Sequence, residues 1–455
     1  MSAPLRIASG QGFWGDLQRA PIDQARLGPI DVLVMDYLAE VTMSILQKQK
    51  LRDPSKGYAR DFVEVVTELA PDIVEKGFKI ISNAGGVNPV ACAEAIVEGA
   101  RARGATGLKV AVVTGDDLLE RLDDLLARGV ELKHMETGQR LAEVRDQIVS
   151  ANAYLGAQPI AEALAMGADV VVTGRTTDTG LTLAPLVDRF GWDWTDWDKM
   201  AAGTVAGHIL ECGAQSSGGN FTDWRAVPDM ARIGFPIAEV SADGTFVVTK
   251  HDGTGGLVSR GTVAEQLLYE IGDPTDYITP DVVADFTSIQ LEDEGDDRVL
   301  VSGIRGAEDT EFLKVSAAYA DGWKATSTLV YAWPEAAAKA RAAAQILKDR
   351  LDALGLEFEE YRAEIIGLNA LSETESVDAV AEADLDEVQL RVSVRGQDKA
   401  AVEQFGREIA PLILTGPSAV TGFAGGRPRP SEVVAYWPAL IPKSEVQTEV
   451  RLLEV

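Results

Sequence analysis

Short runs of β-branched and aliphatic residues recur through the first ~200 positions, at residues 5–9, 31–35, 78–83, 108–114 and 169–174. Most are bounded by Gly or Asp. Between them apolar residues return at three- and four-residue spacing, as in 89–103 and 159–166, where Pro89 and Pro159 stand at the start of the helical pattern. Strand-length runs alternating with helix-length amphipathic segments predict βαβ units, hence an α/β, doubly wound, mostly parallel sheet over residues 1–202. In such sheets ligands sit at the carboxyl ends of the strands, so the loops after each run are the places to look for chemistry.

From about residue 203 the pattern changes to short strands between Gly and Asp turns, for example 245–251, 298–304 and 327–333. An Ala-rich helix is predicted at 335–354, then strands at 362–368 and 388–394 and a helix at 399–413. An α+β domain over 203–455 is therefore expected. The acidic stretch 373–387 reads as a solvated loop or short helix.

Composition narrows the function classes. Lys+Arg number 42 against 71 Asp+Glu, a net charge of −29, which repels a polyanion over most of the surface and argues against nucleic acid. Two cysteines, Cys92 and Cys212, are too few for a disulfide framework and point to a reducing compartment. No run approaches the roughly 20 apolar residues that span a bilayer, and the N-terminus has no signal-peptide pattern. A cytoplasmic protein without a membrane partner is the expectation. Three histidines in the chain limit His-rich metal sites.

Six constellations carry candidate chemistry. Gly10, Gln11, Gly12 and Gly15 form a GxGxxG after the first strand, and Asp36 follows about 20 residues on, the spacing of a dinucleotide fingerprint. Pro21 and Pro29 interrupt the helix such a site needs, and Phe13 and Trp14 crowd it, so a ligand loop or a structural turn competes with an NAD site. Asn83, Gly85 and Gly86 lead from a strand into a helix, a candidate oxyanion site. Arg175, Thr176, Thr177 and Asp178 follow the apolar run ADVVVTG; Arg175 is a candidate grip for an anionic substrate and Asp178 a candidate base. His208 shares a helical face with Glu211 and Cys212, giving a carboxylate-oriented base or a His–Cys pair, with Asn220 in the loop beyond. A divalent metal on His208, Glu211 and Asp178 is a further option. Lys250 in KHDGTGG, and Gly425, Gly426 and Arg427 in TGFAGGRPR, join cationic side chains to glycines and are candidate anion sites, the second for CoA phosphates.

As a set, RIASGQGFWGD (6–16), SNAGGVNP (82–89), VVTGRTTDTGLTLAPL (171–186), GHILECGAQSSGGNFTDW (207–224) and KHDGTGGLVSRGTVAEQLLYEIGDP (250–274) resemble the acyclic terpene utilisation family, the AtuA-type proteins. The resemblance implies a place in bacterial catabolism of citronellol- and geraniol-like terpenes, a route through branched acyl-CoA thioesters. It also implies that some relatives carry a small extra C-terminal domain, so a separate small partner protein is one expectation. It brings no agreed catalytic residue set. The resulting expectation is a catabolic enzyme, homo-oligomeric, acting on a branched acyl-CoA or related organic acid by hydratase or lyase chemistry through an enolate. Its alternatives are a thioester or amide hydrolase using Ser216, Ser217 or Cys212, a non-catalytic subunit, and an NAD-binding protein.

Overall fold

The computed structural model describes residues 3–371, 385–422 and 426–455. Two compact units emerge: unit 1 is Met1–Ala318 with Tyr436–Val455, and unit 2 is Tyr319–Ala435.

Unit 1 is built on strands β1 (Leu5–Gln11), β2 (Val32–Met35), β3 (Lys79–Ser82), β4 (Lys109–Thr114), β5 (Ile148–Ala153) and β6 (Val170–Thr173). Helices α1 (Ala20–Leu27), α2 (Glu40–Arg52), α3 (Arg60–Lys76), α4 (Pro89–Ala102), α5 (Leu122–Ala127) and α6 (Gln158–Ala165) alternate with them, and α7 (Gly180–Phe190) and α8 (Trp197–Glu211) follow. β1, β2, β3, β6 and β4 pair in parallel in that order. β2 and β6 are buried at every position, as parallel strands covered on both faces must be. The two faces are legible in β2: Val32 and Val34 join one core cluster, with α6, α7 and α8, whereas Leu33 and Met35 join another, with α3 and α4. α3 buries Phe62, Val65, Val66, Leu69, Ala70 and Ile73, one stripe of the helix, and stops at Gly77 in the left-handed conformation. β6 lies between β3 and β4, reached from β4 by a crossover on the opposite face, so a crevice opens at the carboxyl ends of these strands.

Mixed α and β content is as expected, but the sheet is not mostly parallel. β7 (Ile237–Val240), β8 (Phe246–Thr249), β11 (Gln290–Gly295) and β12 (Arg298–Ser302) extend it from β1 by antiparallel pairing, and β19 (Glu449–Glu454) pairs antiparallel with β4. The cause is connection length: β7 and β8 are joined by a tight turn at Gly244, too short for the crossover that a parallel neighbour requires. α9 (Arg260–Leu268) and a small antiparallel sheet of β9 (Tyr277–Ile278), β10 (Val283–Asp285) and β13 (Arg305–Ala307) complete this region. The change of pattern near residue 203 marks this switch from crossovers to hairpins rather than a domain boundary. α8 runs through the expected 202/203 division, and the compact units separate after Ala318.

β14 (Phe312–Ala332) leads into unit 2, whose sheet orders β15 (Glu360–Ile366), β16 (Glu387–Gly396), β14 and β17 (Val420–Thr421). Alternate residues of β16 are buried beneath α10 (Ala336–Ala353) and α11 (Lys399–Ile409). α12 (Leu412–Thr415) follows, and β18 (Ser431–Pro442) returns the chain to unit 1. Most of the acidic stretch 373–387 lies outside the described residues.

Candidate active site

The carboxyl ends of β1, β2 and β6, the C-terminus of α8 and the segment after α9 enclose a cavity of about 430 Å³ in unit 1. Four carboxylates, Asp36, Asp178, Glu211 and Glu270, line it with one guanidinium, Arg175. Phe13 and Tyr269, both exposed, contribute apolar surface with Leu38. The cavity is thus polar and acidic, with aromatic side chains open to solvent.

Asp36 follows β2 and is nearly buried. Its Oδ1 accepts from Asn83 Nδ2 at 2.7 Å and from the Leu38 backbone at 3.1 Å, while Asn83 Oδ1 accepts from Tyr37 N–H at 2.8 Å. Burial lifts the Asp36 carboxyl to about 6, against the opposing pull of Arg175 and of these hydrogen bonds. Arg175 is also buried: its guanidinium donates to the Leu38 carbonyl, lies 3.1 Å from Asp178 and stacks 4.2 Å from the Tyr154 ring centre. Asp116, after β4, fixes the backbone of this loop by accepting from Arg175 N–H at 2.8 Å and from Asn152 at 2.9 Å. Burial pushes its carboxyl to about 7. Gly174 is required here, because a Cβ would stand 2.4 Å from the Asp116 carboxylate.

Glu211 ends α8 and is held from behind by His208, whose Nδ1 lies 2.8 Å from Glu211 Oε1. The other ring nitrogen, Nε2, is 3.0 Å from the Gln266 carbonyl, to which it can only donate. Gln266 returns a bond from its side chain to the His208 carbonyl at 2.7 Å and accepts from Gln215 at 2.9 Å. Tyr277 and Phe286 pack edge-on against the imidazole. Burial, the largest single influence, lowers the imidazole, but the Glu211 charge and hydrogen bond, the Gln266 carbonyl and the Glu270 charge together outweigh it and the net shift is upward; burial raises Glu211 as well, with His208 pulling the other way. The proton shared by the pair is therefore held more tightly than either group would hold it in water.

A family model described as acyclic terpene utilisation family protein AtuA matches residues 5–452. The chain belongs to the AtuA family. No curated protein and no solved structure matches it. In this AtuA-family chain, no helix among the described residues is long and apolar enough to cross a membrane.

The other residues singled out in the sequence divide between packing and surface. At Gly10 an added Cβ would meet the Leu33, Met35 and Pro21 side chains, at Gly12 it would stand 2.7 Å from the Cys212–Gly213 backbone, so glycine lets the β1 loop lie against that turn, and Gly15 turns the chain at φ +108°. The buried Gln11 side chain reaches the Phe13 carbonyl. Pro21 opens α1 rather than interrupting it, and α1 starts well after Gly15, so the helix dipole that a dinucleotide needs is not at the glycines. Gly85 and Gly86 are a close-packed βα turn: added Cβ atoms would meet the Thr173 carbonyl at 2.5 Å and Leu46 at 2.3 Å, and Gly86 N–H is given to Asn83. Thr176 bonds the Leu155 carbonyl at 2.8 Å, and Thr177 is tied through its backbone to Leu155, so both fasten the loop. Asn220 is exposed at φ +55°. Lys250 is buried in an ion pair with Asp297 at 2.9 Å and does not reach the cavity. Gly426 and Arg427 lie in unit 2, and Gly425 falls outside the described residues.

His208, expected as a base or metal ligand, does not line the cavity, and both its nitrogens are engaged. Among the described residues no group of three or more His, Cys, Asp or Glu side chains is placed to hold a metal ion. Cys212 does line the cavity, but burial, with the charge of Glu211, pushes its thiol up to about 12. Sequence reading missed Asp36 as a cavity acid, together with Asp116, Glu270 and the Gln215–Gln266 link. Asp36 carried a signal, since it directly follows a buried strand; Glu270 did not.

Proposed function

We propose that the chain is an acid–base enzyme of acyclic terpene catabolism, adding water to or removing it from a branched acyl thioester or the related acid through an enolate. The observation that carries this reading is the meeting of Asp36 and Glu211 in one cavity, both raised above the usual carboxylate range by burial, beside the Arg175 charge. Two carboxyl groups of this kind divide acid and base work near neutral pH.

In the hydration direction Glu211 takes a proton from water as the oxygen bonds to the β-carbon. Negative charge moves to the carbonyl oxygen, where Arg175 stabilises it electrostatically. Asp36 then gives its proton to the α-carbon, and exchange with solvent resets the two carboxyls. His208 and Gln266 position Glu211, and Asp178 and Asp116 position Arg175. Phe13, Leu38 and Tyr269 cover the hydrocarbon chain. A cavity with four carboxylates receives a thioester or a protonated acid more readily than a free carboxylate.

Turnover of branched α,β-unsaturated acyl-CoAs by the purified chain, followed by loss of enoyl-thioester absorbance, tests the reading. Asp36→Asn and Glu211→Gln are each expected to lower kcat by about 10²–10⁴-fold. Retention of full activity in either variant sinks that residue's role, and activity that appears only with a second protein supports the subunit alternative.

A further inference from the structure

We infer that unit 2 carries a phosphate-binding groove for a nucleotide bearing several phosphates, of the kind a CoA thioester carries; the ligand class rests on the thioester reading above. The groove encloses about 780 Å³, far more than a single phosphate fills and within the range of small-molecule sites. One wall is α11, on which Lys399, Glu403 and Arg407 recur at four-residue intervals and so share a face. The other wall is the segment from Gly426, with Arg427 and Arg429 alternating with Pro428 and Pro430.

The two walls are fitted to each other. A Cβ on Gly406 of α11 would stand 2.5 Å from the Pro428 carbonyl, so only glycine lets the Arg–Pro segment lie against this helix. The prolines stiffen that segment and hold its two guanidiniums in place. Lys399 is steadied by the Trp323 ring, 4.2 Å away, and Arg407 is paired with Glu403 at 2.9 Å. Among the described residues Arg427 and Arg429 have no carboxylate partner. Four cations against one carboxylate leave a local excess of three positive charges on a chain of net charge −29. Such a patch attracts a compact anion, while the remaining surface repels an extended one such as RNA. Arginine forks suit phosphate oxygens.

Calorimetric titration of the full chain with CoA, 3′-dephospho-CoA, inorganic pyrophosphate and a short RNA tests this. Saturable CoA binding is expected, weakened at least fivefold without the 3′-phosphate and at least tenfold in Arg427→Glu/Arg429→Glu, with the unliganded melting temperature unchanged. Lys399→Glu should weaken it too, which covers the case in which the double variant unfolds. No CoA binding, equal affinity in the charge-reversed variants, pyrophosphate binding as tightly as CoA, or tighter binding of RNA would each overturn the inference. CoA lacks an acyl group, so its binding does not depend on the Asp36 and Glu211 chemistry. Binding without turnover would leave the groove standing and remove the hydration reading; turnover of free acids without CoA binding would do the reverse.

Discussion

Replacing Asp36 by Asn removes the charge that burial penalises while keeping an acceptor for Asn83 and Leu38. The carboxyl is raised from its ordinary value of 3.8 to about 6 in the folded protein. The folded state therefore binds more protons than the unfolded state between these values, and wild-type stability falls as pH rises through them. The full penalty above pH 6 is about 3 kcal/mol, of which roughly half is already in force at pH 5. Relative to wild type, Asp36→Asn should gain about 1 kcal/mol of stability between pH 5 and pH 8. Any pH-independent effect of the substitution cancels in this comparison. Urea unfolding followed by tryptophan emission reads the difference, since Trp14, Trp192, Trp194, Trp197, Trp224 and Trp437 belong to unit 1. A variant that instead loses stability relative to wild type as pH rises would refute the reasoning: Arg175 would then outweigh burial, and Asp36 would be an ordinary ionised carboxylate unable to donate a proton.

Three further outcomes are expected. His208→Gln should lower kcat about 10–100-fold with KM little changed and move the pH–rate profile, because Glu211 loses its proton partner; an unmoved profile would leave His208 a packing residue. Gly12→Ala should destabilise the fold by about 2–3 kcal/mol, because its Cβ meets the Cys212 and Gly213 backbone at 2.7 Å; a melting temperature within a degree of wild type would show that these loops yield. Cys212 should be alkylated slowly by iodoacetamide at pH 7.5, its thiol being raised to about 12, and rapid labelling blocked by substrate would favour the thioester hydrolase instead.

Much of unit 1 was legible because its signals are local. The five parallel strands are apolar runs ended by Gly, Asp, Asn or Thr, and the loops after them carry Asp36 and Arg175 as the strand-end rule leads one to expect. What escaped depends on distant partners. The glycines at 10, 12, 85 and 86 look the same in sequence whether they admit a phosphate or a neighbouring chain, and only the positions of Leu33, Cys212, Thr173 and Leu46 decide for packing. Lys250 has the sequence setting of an anion receptor, but its charge is taken by the ion pair with Asp297. His208 and Glu211 were legible as a pair from their helical spacing, but which of them faces the cavity follows from the distant Gln266. The division at residue 202 failed because a change in connection length imitates a change of domain.

The most direct test of the hydration chemistry is mass analysis of products formed from a branched α,β-unsaturated acyl-CoA in ¹⁸O-labelled water and, separately, in deuterated water. The account predicts an intact thioester carrying one ¹⁸O at the β-carbon, and in deuterated water one deuterium fixed at the α-carbon. Free acid with ¹⁸O in its carboxylate and no α-deuterium would contradict it and identify a hydrolase.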